Sequence, residues 1–246
     1  AKFSPVNRAE TKELKFLSNV MGDIEVGVLR NGSKRVEDIP VALHSDAMDH
    51  HMGVFATTGM GKSNFMKVFA ASCMKRAVLG ESKFGLLIVD PHGEYILGDK
   101  NTKGLLHLKN HGGLVCYSTD PEHSKDAEVS KLAISKEEIV PNDTHILFDW
   151  RPAQKEVLEA IPYIFDEKTW IDDIQGKKGR DDLTSEHFHK RTIDVVQRRI
   201  KSIRRTNRYI KDIESSIPSI ISHLQEGKVV LIDIPNLSER NELFLL

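Results

Sequence analysis

The sequence predicts a doubly wound α/β fold, and three observations predict it. Short apolar runs at 84–89 and 229–232 lead straight into acidic residues, Asp90 and Asp233, as strands buried on both faces of a parallel sheet do. Segments whose apolar side chains recur at helical spacing alternate with these runs. A glycine-rich loop ending in Lys62 and Ser63 joins one such run to one such helix.

The N-terminal part, 1–45, is read as a β segment. Ile24, Val26 and Val28 alternate with Glu25 and Gly27, a turn follows at Arg30-Asn31-Gly32-Ser33, and a second strand-like piece covers 39–43. Residues 46–150 are expected to form the first part of the α/β core. Strands are expected at 52–56, 84–89, 114–117 and 146–148, with a helix over 62–76 that places Phe65, Val68, Phe69 and Cys73 on one face. Residues 151–226 read as a helical insertion. In it Ile193, Val196, Ile200, Ile203 and Ile210 share a face, and the acidic stretch 172–182 is expected to be a mobile loop. The core resumes over 227–246 with a strand at 229–234.

Composition bounds these readings. With 246 residues, 39% apolar and 29% charged, the chain has the material of an ordinary globular protein with a sizeable core. A formal net charge of −1 excludes no class of partner, because nucleic-acid binding needs a local basic patch. Cys73 and Cys116 lack metal or redox spacing and are expected to be reduced core thiols, as in a cytoplasmic protein. The histidine clusters His50-His51 and His187-Phe188-His189 lack partner ligands at zinc spacing. No apolar stretch approaches membrane-helix length, so no membrane partner is expected. The chain starts at Ala1 and stops at Leu246 inside an apolar run, which reads as a fragment truncated at its C-terminus.

The loop Ala56-Thr57-Thr58-Gly59-Met60-Gly61-Lys62-Ser63 fits the relaxed Walker A pattern, with Ala56 where the strict form has Gly. Gly59 and Gly61 allow backbone angles that aim successive N–H groups at phosphate oxygens. The helix N-terminus that follows favours negative charge. Thr57, Thr58, Gly59, Met60, Gly61, Lys62, Ser63 and Asn64 are therefore expected to bind ATP. Lys62 would reach the β- and γ-phosphates, and the Ser63 hydroxyl would ligate Mg²⁺. Asp90 ends a strand at the edge where ligands bind in such sheets, and Glu94 follows closely. Either could hold the Mg²⁺ shell or position the attacking water, so Lys62, Glu94 and Asp90 are the catalytic candidates and Ser63 and Asp90 the metal candidates. By pattern alone Asp233 is a Walker B candidate, although an apolar strand ending in Asp is common.

Four pieces in order carry a family resemblance: 50–55 leading into the loop, Gly61-Lys62-Ser63-Asn64, Asp90-Pro91-His92-Gly93-Glu94-Tyr95, and 231–238. Together they resemble the HerA branch of the HerA–FtsK ATPases over residues 24–246. The resemblance implies a RecA-like P-loop core, an N-terminal β-barrel of which 1–45 would be a remnant, and a homo-hexameric ring. It also implies ATP-driven translocation on double-stranded DNA and partnership with a nuclease in resecting broken ends. It places the Walker B acid and arginine finger beyond Leu246 and makes Asp233 part of a neighbouring core strand.

Residues 189–211 carry Lys190, Arg191, Arg198, Arg199, Lys201, Arg204, Arg205, Arg208 and Lys211 against Asp194 alone. Such a surface could follow a phosphate backbone, or could be a solvated or subunit-paired face. Two other functions compete with a motor. One is a regulatory ATP switch with slow hydrolysis; the other is a small-molecule kinase, which would be expected to be complete at about this length.

Overall fold

The computed structural model describes residues 10–57, 59–98, 102–108, 111–120, 122–123 and 128–245. In chain order it contains helix α1 (Thr11–Leu14), strands β1 (Ile24–Asn31) and β2 (Lys34–Leu43), helix α2 (Lys62–Leu79), and strands β3 (Leu86–Asp90), β4 (Leu114–Ser118), β5 (Val129–Lys131) and β6 (Ile134–Ser135). There follow helices α3 (Thr144–Leu147), α4 (Pro152–Ile164), α5 (Trp170–Asp173), α6 (Lys177–Ser185) and α7 (Lys190–Thr206), strand β7 (Ile210–Lys211), helix α8 (Ile217–Gln225), strand β8 (Val229–Asp233) and helix α9 (Glu239–Leu245).

The expected fold class is the one observed. The main sheet has the order β3-β8-β4-β5. Its strands are parallel: Cys116, Tyr117 and Ser118 pair with Val129, Ser130 and Lys131 in register. Leu86 bonds to Lys228 at the strand starts, and Ile234 bonds to Asp90 at the ends. All five residues of β8 are buried, as a central parallel strand requires.

The chain divides into two compact units. One runs to Ile88 and adds Glu94–Val115 and His223–Leu231; the other holds Val89–Gly93, Cys116–Ser222 and Ile232–Leu246. In the first, Phe69, Ala70, Cys73 and Met74 of α2 pack with Ile24, Leu105 and Val229. The expected hairpin forms, with β1 and β2 antiparallel and Gly32 at φ 62° in the turn. It is tied to α2 through Arg76, which pairs with Asp23 at 2.9 Å. Burial would raise the Asp23 carboxyl, but hydrogen bonds from Ser45 and the Arg76 charge hold it below the ordinary range. Burial pushes the Cys73 thiol up to about 11, so it is inert at neutral pH.

The second unit is built on the helices. Ile193, Val196, Ile200 and Ile203 form the buried stripe of α7, packed with Val157, Leu158 and Ile161 of α4. Three expectations fail here. Ile210 does not share the α7 face but lies in β7, past the helix end at Thr206. Residues 146–148 do not form a strand: Ile146 and Leu147 lie in α3, which continues a 3-10 turn over Pro141–Asp143, and the Thr144 hydroxyl donates to the Pro141 carbonyl at 2.7 Å. Residues 172–182 are not one loop: 172–173 end α5, 174–176 form a tight turn and 177–182 lie in α6. Trp170, Ile171, Ile174 and Leu183 bury completely around them, and Gly179 lets α6 approach the Asp173 carbonyl, where a Cβ would sit 2.1 Å away. Trp170 is 1% exposed and its Nε1–H donates to Ile139 O at 2.7 Å. Trp170→Ala should cost about 3–5 kcal/mol in denaturant unfolding; a loss under about 1 kcal/mol would show that this core does not hold the unit together.

Candidate nucleotide site

Residues 51–57 run into the loop without joining a strand, so the strand expected at 52–56 does not form. Its apolar side chains lack the burial that drives sheet pairing: Phe55 is 94% exposed. The Phe55 ring lies back over Gly53, where a Cβ would meet it at 2.5 Å.

The loop itself has the backbone its sequence called for. Gly59 and Gly61 sit at φ 83° and 86°, the left-handed region that disfavours a side chain. A Cβ at either would touch nothing, so the constraint is conformational rather than steric. Met60 N–H closes a turn onto Thr57 O at 3.1 Å. Gly61 is the N-cap of α2 and supplies no side-chain cap, and the first helical bond is Phe65 N–H to Gly61 O at 2.9 Å. The N–H groups of the first turn therefore have no intrahelical acceptor and are oriented toward an external one.

These residues wall a cavity of about 400 Å³. Of the expected binding residues, Thr57, Gly59, Gly61, Lys62, Ser63 and Asn64 line it, and Glu94 faces it from the segment after β3. Met60 does not line it and is largely exposed. Thr58 lies outside the described residues. Two lining residues were not foreseen: Lys67 and Thr102, joined by a 2.8 Å hydrogen bond from Lys67 Nζ to Thr102 Oγ1. Helical spacing could have indicated Lys67, which lies one turn beyond Ser63 on the same face. The donor set suits a magnesium–nucleoside triphosphate: main-chain N–H groups and lysine ammoniums for phosphate, a serine hydroxyl for the metal.

Asp90 belongs to the second unit. It is buried at the end of β3, with Oδ1 accepting the His92 N–H at 3.3 Å. In the same unit Asp233 is fully buried at the end of β8. Its Oδ2 accepts from Ser118 Oγ at 2.5 Å and lies 2.7 Å from His123 Nδ1. Its Oδ1 has no hydrogen-bond partner among the described residues. Ser118 and His123 were also unforeseen, although Ser118 ends its apolar run as Asp90 and Asp233 end theirs.

Backbone of this kind, entering a helix within a parallel α/β fold, marks the P-loop NTPases, and fold and loop together put this chain in that class. More narrowly, the chain belongs to the HerA helicase central-domain family, whose model ("Helicase HerA, central domain") matches residues 24–245. It is 31% identical over 131 residues to the DNA double-strand break repair helicase HerA of Saccharolobus solfataricus, covering 53% of this chain and 23% of that protein. It is 32% identical over 92 residues to the protein of the same description from Sulfurisphaera tokodaii, covering 37% and 16%. With a probable helicase of Methanocaldococcus jannaschii it shares 37% identity over 83 residues, 33% and 14%. The chain thus spans less than a quarter of the length of these relatives. No solved structure matches. Among the described residues no helix is long and apolar enough to cross a membrane.

Proposed function

We propose that the intact protein is an ATP-driven motor acting on double-stranded DNA in repair, with the loop from Thr57 to Asn64 as its nucleotide site. The nucleotide part of this reading rests on the left-handed Gly59/Gly61 backbone running into the uncapped N-terminus of α2, and the DNA part on the likeness to the HerA helicase central domain. Lys62 neutralises charge on the β- and γ-phosphates, Ser63 holds Mg²⁺, and Glu94 is the residue on the cavity wall able to orient water. Bound Mg²⁺ would supply charge neutralisation on the phosphates. The motor reading also takes 1–45 as a barrel remnant, 46–150 and 227–246 as the NTPase core and 151–226 as a helical insertion. The intact protein would be a homo-hexamer with a nuclease partner. Linear double-stranded DNA is expected to raise its ATPase rate. ATP binding with a slow rate indifferent to DNA would favour a regulatory switch.

DNA contact through α7 is part of this proposal, on a narrower set of residues than composition suggested. Arg199 stacks over Trp150 at 4.9 Å and donates to Asp149 O at 3.0 Å. Arg204 pairs with Asp212 and Asp172. Both hold the fold. Arg191, Arg198, Lys201 and Arg205 are exposed or largely so and fall at i, i+3 and i+4 spacing opposite the buried stripe. Asp194, on the same face, is neutralised by Arg180 at 2.8 Å. Reversing these four cations to Glu should weaken DNA binding uniformly across sequences. It should also flatten the log–log salt slope by up to about 3–4, near 0.9 for each phosphate no longer neutralised. An unchanged slope would place the DNA elsewhere.

A further inference from the structure

The feature of the cavity that the P-loop motif leaves unexplained is Lys67. It is 6% exposed, yet its Nζ has one partner among the described residues, the neutral Thr102 hydroxyl at 2.8 Å. An ammonium on a cavity wall with no carboxylate partner among the described residues keeps donors available to an anion entering the cavity. Such a group is expected where an anion completes the site.

Its position says which anion. Lys67 follows Ser63 by four residues and Asn64 by three, so all three share one face of α2. Long helical side chains lean toward the helix N-terminus. Consistent with that tendency, Lys67 lines the same cavity as Gly59, Gly61 and Lys62. An ammonium has three donors, and Thr102 uses one. The described charges on the wall are Lys62 and Lys67 against Glu94, a net positive lining before the helix N-terminus is added.

We infer that Lys67 is a second phosphate-binding cation, contacting the polyphosphate of the bound nucleotide from the side of Ser63 and Asn64 while Thr102 holds its ammonium in place. This rests on the nucleotide reading of the loop and adds to it a residue outside the Walker A motif. The loss of a charge-assisted hydrogen bond to phosphate corresponds to roughly a 10- to 100-fold weaker affinity.

The test is MgATP titration of this chain and of its Lys67→Met, Lys67→Arg and Lys62→Ala variants, each below its own unfolding temperature so that only folded protein is read. The expected result is a dissociation constant raised at least tenfold in Lys67→Met, with Lys67→Arg recovering part of the loss because the charge is kept. A loss under tenfold in Lys67→Met, or equal losses in the Met and Arg variants, overturns the inference and leaves Lys67 as a strut for Thr102. Lys62→Ala separates the two levels. If it binds MgATP as tightly as the unsubstituted chain, the nucleotide reading of the loop has failed, whatever Lys67 does.

Discussion

Replacing Lys62 with alanine is expected to abolish tight MgATP binding. Lys62 opens α2 immediately after Gly61, with its side chain on the cavity wall. Its ammonium would meet phosphate oxygens within a site partly shielded from water. Truncating one partner of such a pair costs about 2–5 kcal/mol, or roughly 30- to several thousand-fold in affinity. The fold should survive, because the Lys62 side chain is exposed and contributes to neither hydrophobic cluster. Unchanged affinity in a folded variant would remove the site assignment.

Glu94→Gln should separate binding from turnover. Glutamine keeps the shape and much of the polarity but cannot accept a proton from an attacking water. A positioned general base contributes about 10²–10⁴ in rate. The variant is expected to bind MgATP about as tightly as the unsubstituted chain and to hydrolyse it slower by that factor in the intact protein. Turnover within a few-fold of the original would take Glu94 out of the catalytic role.

What the sequence made legible follows from what each signal physically constrains. The loop was readable because left-handed backbone is nearly restricted to glycine, and Gly59 and Gly61 indeed sit at φ 83° and 86°. The α7 stripe was readable because apolar residues at 193, 196, 200 and 203 follow a helical period that a strand does not fit, although Ile210, read with them, lies beyond the helix. Shorter signals misled. The three apolar residues at 146–148 fit a strand or a helical turn equally well, and they follow a 3-10 turn at Pro141–Asp143 into α3. The acidic stretch 172–182 looked soluble because its polar residues dominate the composition. Its order comes from Trp170, Ile171, Ile174 and Leu183, which become a single buried cluster only once α4 and α7 pack over them.

In the site, motif positions were legible and their neighbours were not. Lys67 and Thr102 are 35 residues apart, and only the fold brings them to 2.8 Å. The same holds for Ser118, His123 and Asp233, joined across more than a hundred residues. The charge count over 189–211 overstated the free cations, because it could not show that Arg199 covers Trp150 or that Arg204 is paired with Asp172 and Asp212.

The most direct measurement is the structure of this chain with a non-hydrolysable ATP analogue and Mg²⁺. The β- and γ-phosphates are expected against the N–H groups of Gly59 to Ser63, with Lys62 Nζ within hydrogen-bond distance of both and the metal on Ser63 Oγ. A nucleotide bound elsewhere, with the cavity behind Gly59 and Gly61 left open, would contradict this expectation.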